Sequence, residues 1–127
     1  MSDLIRRHGI IVKSANFALY GDLSSRIVSI LAGFTPRIEV YSIDESFLDL
    51  SGIENLRDHC RKIQETVIQW TGVPVSVGVG PTKTLAKLAN RLAKKQGQVV
   101  ILSTLAERET ALKTTEINDV WGIGYRR

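Results

Sequence analysis

The segment YSIDESFLDL, residues 41–50, places two acidic residues side by side between two apolar runs. Together with the residues just before it, where Ile38 and Val40 alternate with polar neighbours, it predicts two strands joined by a turn. Successive side chains of a strand point to opposite faces, so a regular strand would separate Asp44 from Glu45. If the pair lies at the tip of a hairpin, the alternation breaks there and both carboxylates can reach one point in space.

The adjacent carboxylates are candidate metal ligands. Two crowded carboxylates repel each other, and a bound divalent cation relieves the repulsion. Oxygen ligands without a nearby histidine or cysteine favour Mg²⁺, Mn²⁺ or Ca²⁺ over zinc. The pattern leaves one alternative open, which is that Asp44 and Glu45 form an ordinary solvated turn.

The remainder of the chain predicts strands and helices in the order β-α-β-β-α-β-α-β-α. The predicted segments are a strand at 9–14, a helix at 19–34 ended by Pro36, the hairpin at 37–50, a helix at 56–70, a strand at 74–80, a helix at 81–95 with Pro81 in its first turn, a strand at 98–102 and a helix near 105–112. One sheet with helices packed on it accommodates this order most simply. The predicted fold class is α+β, with a mixed or antiparallel sheet.

The composition is typical of a soluble globular domain. The chain has 127 residues, of which 43% are hydrophobic and 24% charged, which is enough for one domain with a core. No apolar run approaches the roughly 20 residues that cross a bilayer, and we predict no signal peptide. The single cysteine, Cys60, excludes an internal disulfide and fits a reducing compartment, so we expect a cytoplasmic location. The net charge of +4 permits a polyanionic partner without requiring one.

The segment VGVGPTKTLAK, residues 77–87, precedes and begins the third long helix. Free N–H groups at a helix start attract phosphate, and Lys83 in the first turn could reach a triphosphate as a point charge. The Walker pattern requires glycine immediately before the lysine, and Thr82 stands there instead, so a P-loop is excluded. The alternative is an amphipathic surface helix with a solvated basic stripe, formed by Lys87, Arg91 and Lys94.

The segment WGIGYRR, residues 121–127, contains a Gly-Ile-Gly turn followed by two arginines. Gly122 and Gly124 could present backbone N–H groups to a nucleic-acid phosphate, although a tight structural turn explains the pattern equally well. Trp70 and Trp121 are predicted to be packing residues, and Cys60 is predicted to lie in the core.

Taken together, three segments resemble the palm and early thumb of Y-family (translesion) DNA polymerases, most closely the UmuC-like catalytic subunits of bacterial DNA polymerase V. The segments are YSIDESFLDL, VSVGVGPTKTLAKLANRLAKK and DVWGIGYRR. The resemblance assigns residues 1–113 to a palm-like domain and residues 114–127 to the start of a helix-hairpin-helix thumb. The family's first strand, which carries another metal-binding aspartate, and most of its fingers residues have no match, so the chain is expected to be a truncated piece.

The resemblance implies an enzyme in the full-length parent, which adds deoxynucleotides opposite damaged template by two-metal nucleotidyl transfer, with low fidelity, during SOS DNA repair. It implies that Asp44 bridges two Mg²⁺ ions, with Mn²⁺ as a substitute, and that Glu45 supports the ion at the primer end. Lys83 matches a lysine that contacts the incoming triphosphate, and Gly122 and Gly124 match the thumb residues that hold the DNA backbone. The implied partners of the parent are primer-template DNA and dNTP, a UmuD-like dimer, the sliding clamp and a RecA filament.

The chain by itself is expected to be inactive and to self-associate through exposed strand edges. Two alternatives stay open. The first is a non-catalytic nucleic-acid-binding module that keeps the basic helix and the glycine turn. The second is another palm enzyme such as a nucleotidyl cyclase, against which the LAKLANRLAKK helix and the WGIG turn both speak.

Overall fold

The computed structural model describes residues 2–124. In chain order its elements are the helices and strands α1 (Ser2–Arg7), α2 (Phe17–Ala32), β1 (Ile38–Ser42), β2 (Glu45–Leu48), α3 (Leu56–Thr71), β3 (Gly78–Val79), α4 (Lys83–Gln96), β4 (Val100–Ile101) and α5 (Leu105–Thr114), followed by a 3-10 turn (Ile117–Asp119). Arg126 and Arg127, which follow the glycine turn in the sequence, lie outside the described residues. None of the helices within 2–124 has both the length and the apolar character of a membrane span.

The four strands form two separate pairs instead of the single sheet that was predicted. Strands β1 and β2 are antiparallel, with Ile38 opposite Leu48, while β3 and β4 are parallel, with Gly78 opposite Val100. The parallel strands are only two residues long each. Antiparallel and parallel pairs with helices packed on them confirm the predicted α+β class.

The predicted first strand is wrong. Residues 8–16 have no regular structure, and Ile10, Ile11 and Val12 are 52%, 78% and 73% exposed. The run is rich in β-branched residues, but a strand needs a neighbour for its backbone N–H and C=O groups. Within residues 2–124, none of the strands pairs with this run. The preference of its β-branched residues for strand structure is therefore not realised.

Helix α4 begins two residues later than predicted. The Thr82 hydroxyl accepts a hydrogen bond from the Leu85 amide at 3.2 Å, which makes Thr82 the N-cap. Pro81 therefore precedes the cap and does not lie in the first turn. At the other end, Gly97 stops the helix with a left-handed φ of 67°.

The two glycines of the VGVG run let β3 lie directly against α4. A Cβ atom on Gly78 would lie 1.9 Å from the Asn90 amide nitrogen, and one on Gly80 would lie 2.8 Å from the Ala86 amide nitrogen. Only hydrogen fits between these backbones. The glycines that the sequence associated with a phosphate-binding helix start thus have a packing role, and they fix the rotation of α4 relative to the strand.

One buried cluster, formed by Leu88, Ala89, Leu102 and Ala111, lies between α4, α5 and the end of β4, while α3 packs against α2. The buried hydrophobic residues include Cys60, Ile63, Val67, Leu88, Ala89, Ala93, Val99, Leu102 and Ala111. The predicted core position of Cys60 is confirmed, and burial raises the pKa of its thiol. The packing role predicted for Trp70 is wrong, because its side chain is 72% exposed in the last turn of α3.

Candidate metal and phosphate site

The acidic pair lies at the tip of the β1–β2 hairpin, as predicted. Ile43 and Asp44 form the turn, and Glu45 is the first residue of β2, opposite Ser42. The pairing shifts by one residue between Val40 and Ser42, which is a β-bulge. A bulge redirects side chains where regular alternation would fix them, and this one lies immediately before the carboxylates.

The two carboxylates have different neighbours. Asp44 is exposed, and its Oδ1 accepts a hydrogen bond from the Ser42 hydroxyl at 2.8 Å. Glu45 is 29% exposed, and its two oxygens lie 2.8 and 3.0 Å from the Lys87 ammonium of α4. Asp44 therefore presents its oxygens at the surface of the turn, whereas Glu45 is held by a cation.

The basic face of α4 lies against the acidic hairpin. Lys87 is only 21% exposed and pairs with Glu45. One turn earlier, Lys83 forms a salt bridge with Glu39 of β1, although its side chain remains 51% exposed. Lys87 is therefore more than a member of a solvated stripe, whereas the ion pair of Lys83 lies at the surface.

Three aromatic side chains, Tyr41, Phe47 and Trp121, surround these lysines, and we refer to them as the aromatic cluster. Their ring centroids lie 5.6–5.8 Å apart, and the Trp121 indole N–H donates to the Tyr41 hydroxyl at 3.2 Å. The Lys87 ammonium lies 5.0 Å from the Tyr41 centroid and 5.6 Å from that of Trp121, and the Lys83 ammonium lies 5.3 Å from that of Phe47. These are cation–π distances, and the packing role predicted for Trp121 is confirmed.

A cavity of about 450 Å³ opens between α4, the hairpin and residues 118–121. This volume is in the range of small-ligand sites. Its charged lining consists of Glu45, Lys87, Arg91, Lys94 and Asp119. The Arg91 guanidinium is bonded to Asp119 at 2.6 Å. Two of its three cations are already paired, Lys87 with Glu45 and Arg91 with Asp119. Asp44 and Lys83 do not line this cavity.

The third acidic residue of the hairpin segment, Asp49, belongs to a different part of the structure. It accepts hydrogen bonds from the Ser51 hydroxyl at 2.6 Å and the Ser51 amide at 2.9 Å, and from Arg37 at 3.0 Å. These donors, the Ser51 hydroxyl foremost, lower the pKa of Asp49 from 3.8 to about 2. Asp49 thus fixes the base of the hairpin and is not a candidate metal ligand.

The remaining predicted site residues, Gly122 and Gly124, follow Trp121 in the segment beside the cavity. Gly122 adopts a left-handed φ of 87°, which a glycine tolerates and which supports a tight turn. Sequence reasoning missed Lys87 and Tyr41 as members of the site. A signal for Lys87 was present, since it follows Lys83 by four residues and therefore lies on the same helix face.

Carboxylate oxygens are the ligands that a hard divalent cation prefers, and Asp44 and Glu45 are adjacent at the hairpin tip. In the part of the chain that the structure describes, no group of three or more acidic, histidine or cysteine side chains converges on one point.

Comparison with known proteins identifies relatives over nearly the whole chain. The model of the impB/mucB/samB family matches residues 1–91. Protein UmuC of Salmonella typhimurium is 46% identical over 95% of this chain, and a DNA polymerase IV of Moorella thermoacetica is 32% identical over 94% of it. In both comparisons the chain spans about 30% of the length of the relative.

Two solved structures share the fold. The insertion ternary complex of Dbh DNA polymerase superimposes with a TM-score of 0.76 at 31% identity, covering 87% of this chain and 33% of that one. A DinB family error-prone DNA polymerase from Sulfolobus solfataricus gives the same TM-score at 30% identity, covering 91% of this chain and 36% of that one.

Proposed function

The chain belongs to the impB/mucB/samB family, and we propose that it carries part of the catalytic palm of an error-prone translesion DNA polymerase. The resemblance to Y-family polymerases that the three sequence segments indicated is confirmed. Because the chain spans about 30% of the length of the curated relatives, the proposed activity is that of the whole protein, to which these residues contribute the hairpin and α4. Residues 1–113 are proposed as palm and 114–127 as the start of the thumb.

One observation carries the proposal, which is that a bulged hairpin presents adjacent carboxylates at its tip beside a lysine-bearing helix. When bound, two Mg²⁺ or Mn²⁺ ions would activate the primer 3′-hydroxyl and stabilise the leaving pyrophosphate. Asp44 is exposed at the turn, where its oxygens can serve as ligands, and Glu45 lies next to it. We propose Asp44 as the ligand shared by both ions and Glu45 as the ligand at the primer end.

Lys83 is proposed to contact the triphosphate of the incoming deoxynucleotide. Its side chain is half exposed, and its ion pair with Glu39 lies at the surface. The ammonium can therefore exchange Glu39 for another partner at little cost. Lysine binds phosphate as a point charge and needs no fixed geometry.

The backbone around Gly122 and Gly124 is proposed to bind phosphates of the primer-template DNA. Such contacts are independent of sequence and weaken with salt, and the net charge of +4 favours them. A UmuD-like dimer, the sliding clamp and a RecA filament are proposed as partners of the whole protein, which would act in the cytoplasm during the SOS response.

A non-catalytic nucleic-acid-binding module is the second candidate. It is favoured by the Lys87 ammonium, which occupies both oxygens of Glu45, and by the presence of two rather than three carboxylates at the hairpin tip among the described residues. Binding of DNA that is indifferent to Asp44 and Glu45 would fit this candidate.

Primer extension with Mg²⁺ and four deoxynucleotides separates the two candidates. We would compare this chain with a version extended at both ends by the corresponding segments of a relative. We expect only the extended version to lengthen the primer, because it supplies further metal ligands and a DNA grip. Asp44→Asn should abolish that extension, whereas Asp58→Asn, on an exposed position of α3, should leave it unchanged.

One result would contradict the proposal, and another would contradict the expectation that the chain is inactive by itself. If the extended version folds by circular dichroism and still adds no nucleotide, the binding module is the better description. If the unextended chain lengthens primers in an Asp44-dependent manner, the expectation that it is inactive alone is wrong.

A further inference from the structure

Lys87 connects two parts of the chain that are far apart in sequence. Its ammonium holds both carboxylate oxygens of Glu45 at 2.8 and 3.0 Å. The same nitrogen lies over the rings of Tyr41 and Trp121, at 5.0 and 5.6 Å from their centroids. With 21% of the side chain exposed, these attractions are screened less than those of a fully solvated lysine.

Trp121 depends on this arrangement for its position. Its indole N–H donates to the Tyr41 hydroxyl, and its ring meets that of Tyr41 edge to face at 5.6 Å. Two residues earlier, Asp119 is bonded to Arg91 of α4. The segment that precedes Gly122 is therefore held by two neighbouring cations of one helix face.

We propose that Lys87 is a positioning residue which neutralises Glu45 in the metal-free chain and which leaves Glu45 when a divalent cation is bound there, weakening one of the contacts that hold Trp121. The inference rests on the proposed function, since it requires a cation at Glu45. A divalent cation bound to the Glu45 carboxylate would lie beside the Lys87 ammonium and repel it. Because one nitrogen serves Glu45, Tyr41 and Trp121, its departure from the first changes its contact with the other two.

The coupling works in both directions. Two binding events that affect each other's free energy do so reciprocally. Any contact that keeps Lys87 beneath Trp121 therefore weakens cation binding at Glu45, and cation binding loosens the segment that leads into the glycine turn. Metal occupancy at the hairpin would in this way be transmitted to the part of the chain that is proposed to meet DNA.

The first measurement is Mn²⁺ affinity by electron paramagnetic resonance, without nucleotide or DNA. Lys87→Met removes the competing charge and keeps the length of the side chain, and we expect it to bind Mn²⁺ roughly fivefold more tightly. Lys95→Met is the matched control, because it removes the same charge from an exposed position of the same helix that does not line the cavity. Its Mn²⁺ affinity should stay near that of the unmodified chain.

The second measurement is the emission of Trp121 during a titration with Mg²⁺. The chain contains two tryptophans, and Trp70→Phe, at an exposed position, leaves Trp121 as the single reporter. We expect its emission to change as Mg²⁺ is added when Lys87 is present. With Lys87→Met in the same background, the emission should differ at the outset and should not respond to Mg²⁺.

Lys87→Arg keeps the charge and changes the shape of the side chain. It therefore tests whether the charge of Lys87 or its packing affects Mn²⁺ affinity. It should retain the weaker Mn²⁺ affinity and the Mg²⁺ response, and circular dichroism should show that each variant is folded. If Lys87→Arg binds as tightly as Lys87→Met, or if Lys95→Met strengthens binding as much as Lys87→Met, the positioning role is wrong while the metal site stands. If no variant binds Mn²⁺ in an Asp44-dependent way, the metal proposal fails and the role of Lys87 fails with it.

Discussion

At the scale of single residues, the acidic side chains of the hairpin segment divide into two kinds. Asp44 and Glu45 lie at the tip, where their partners are a hydroxyl and an ammonium that other ligands can replace. Asp49 lies at the base, where three donors hold it. The sequence alone shows three carboxylates within six positions and cannot separate these kinds, since the separation depends on the partners Lys87 and Arg37.

Asp49 gives a prediction about acid stability. Its pKa is about 2 in the folded chain and 3.8 ordinarily, so its contribution to folding is present above about pH 4 and is lost as the pH falls towards 2. Asp49→Asn should therefore lower the urea midpoint at pH 7 and have much less effect at pH 2. An equal loss at both pH values would mean that shape, not charge, explains the role of Asp49.

At the scale of elements, α4 shows what local sequence signals can and cannot predict. Its N-cap Thr82, its apolar stripe and its terminal Gly97 are all local signals, and the predicted and observed limits differ by two residues at the start and one at the end. What its polar face contacts was not predictable, because Glu39 and Glu45 precede their lysines by 44 and 42 residues. Pairing at that separation is fixed by the fold and leaves no periodic pattern in the sequence.

The strands were harder to predict than the helices. A strand is completed by a neighbour, so the β-branched run at 9–14 remained irregular, while the valine-rich run at 74–80 shortened to two paired residues. The hairpin was predicted correctly because its partner strand is the next segment of the same chain. Local signals therefore predicted the helices and the hairpin. The other strands depend on pairing with segments that are distant in the sequence.

The close approach of β3 to α4 predicts a strong effect of one methyl group. Gly78→Ala should destabilise the chain by about 1–3 kcal/mol or more, since the added Cβ would overlap the backbone at Asn90. Gly21→Ala is the matched control within α2, where a Cβ meets nothing within 4 Å, and it should stabilise by about 0.5–1 kcal/mol. Chemical denaturation measures both, and similar effects of the two substitutions would refute the packing role of Gly78.

At the scale of the whole molecule, the two short sheets leave unpaired edges and the first part of the chain leaves apolar side chains in water. Ile11, Val12 and Phe17 are each more than 70% exposed. Exposed strand edges and apolar patches promote association. The relatives are about three times longer than this chain, and a longer protein can cover such a surface.

We therefore predict that this chain self-associates, in a manner that analytical ultracentrifugation detects as a concentration-dependent sedimentation coefficient. Ile11→Lys should shift the equilibrium towards monomer, because it places a charge in the exposed apolar run. Gln69→Lys adds the same charge at an exposed position of α3, outside that run, and should have a smaller effect. A chain that remains monomeric at every accessible concentration would contradict the prediction.

The hairpin and the parallel pair also differ in when they can form. Strands β1 and β2 are joined by two residues, and such local contacts form early, whereas β3 and β4 must wait until α4 has been made and folded back. A ribosome synthesises the chain from its N-terminus, so Glu45 emerges 42 residues before Lys87. During synthesis the acidic tip therefore exists for a time without Lys87, and in that interval its counter-charge comes from cations in the surrounding solution or from basic residues that have already emerged, such as Arg37.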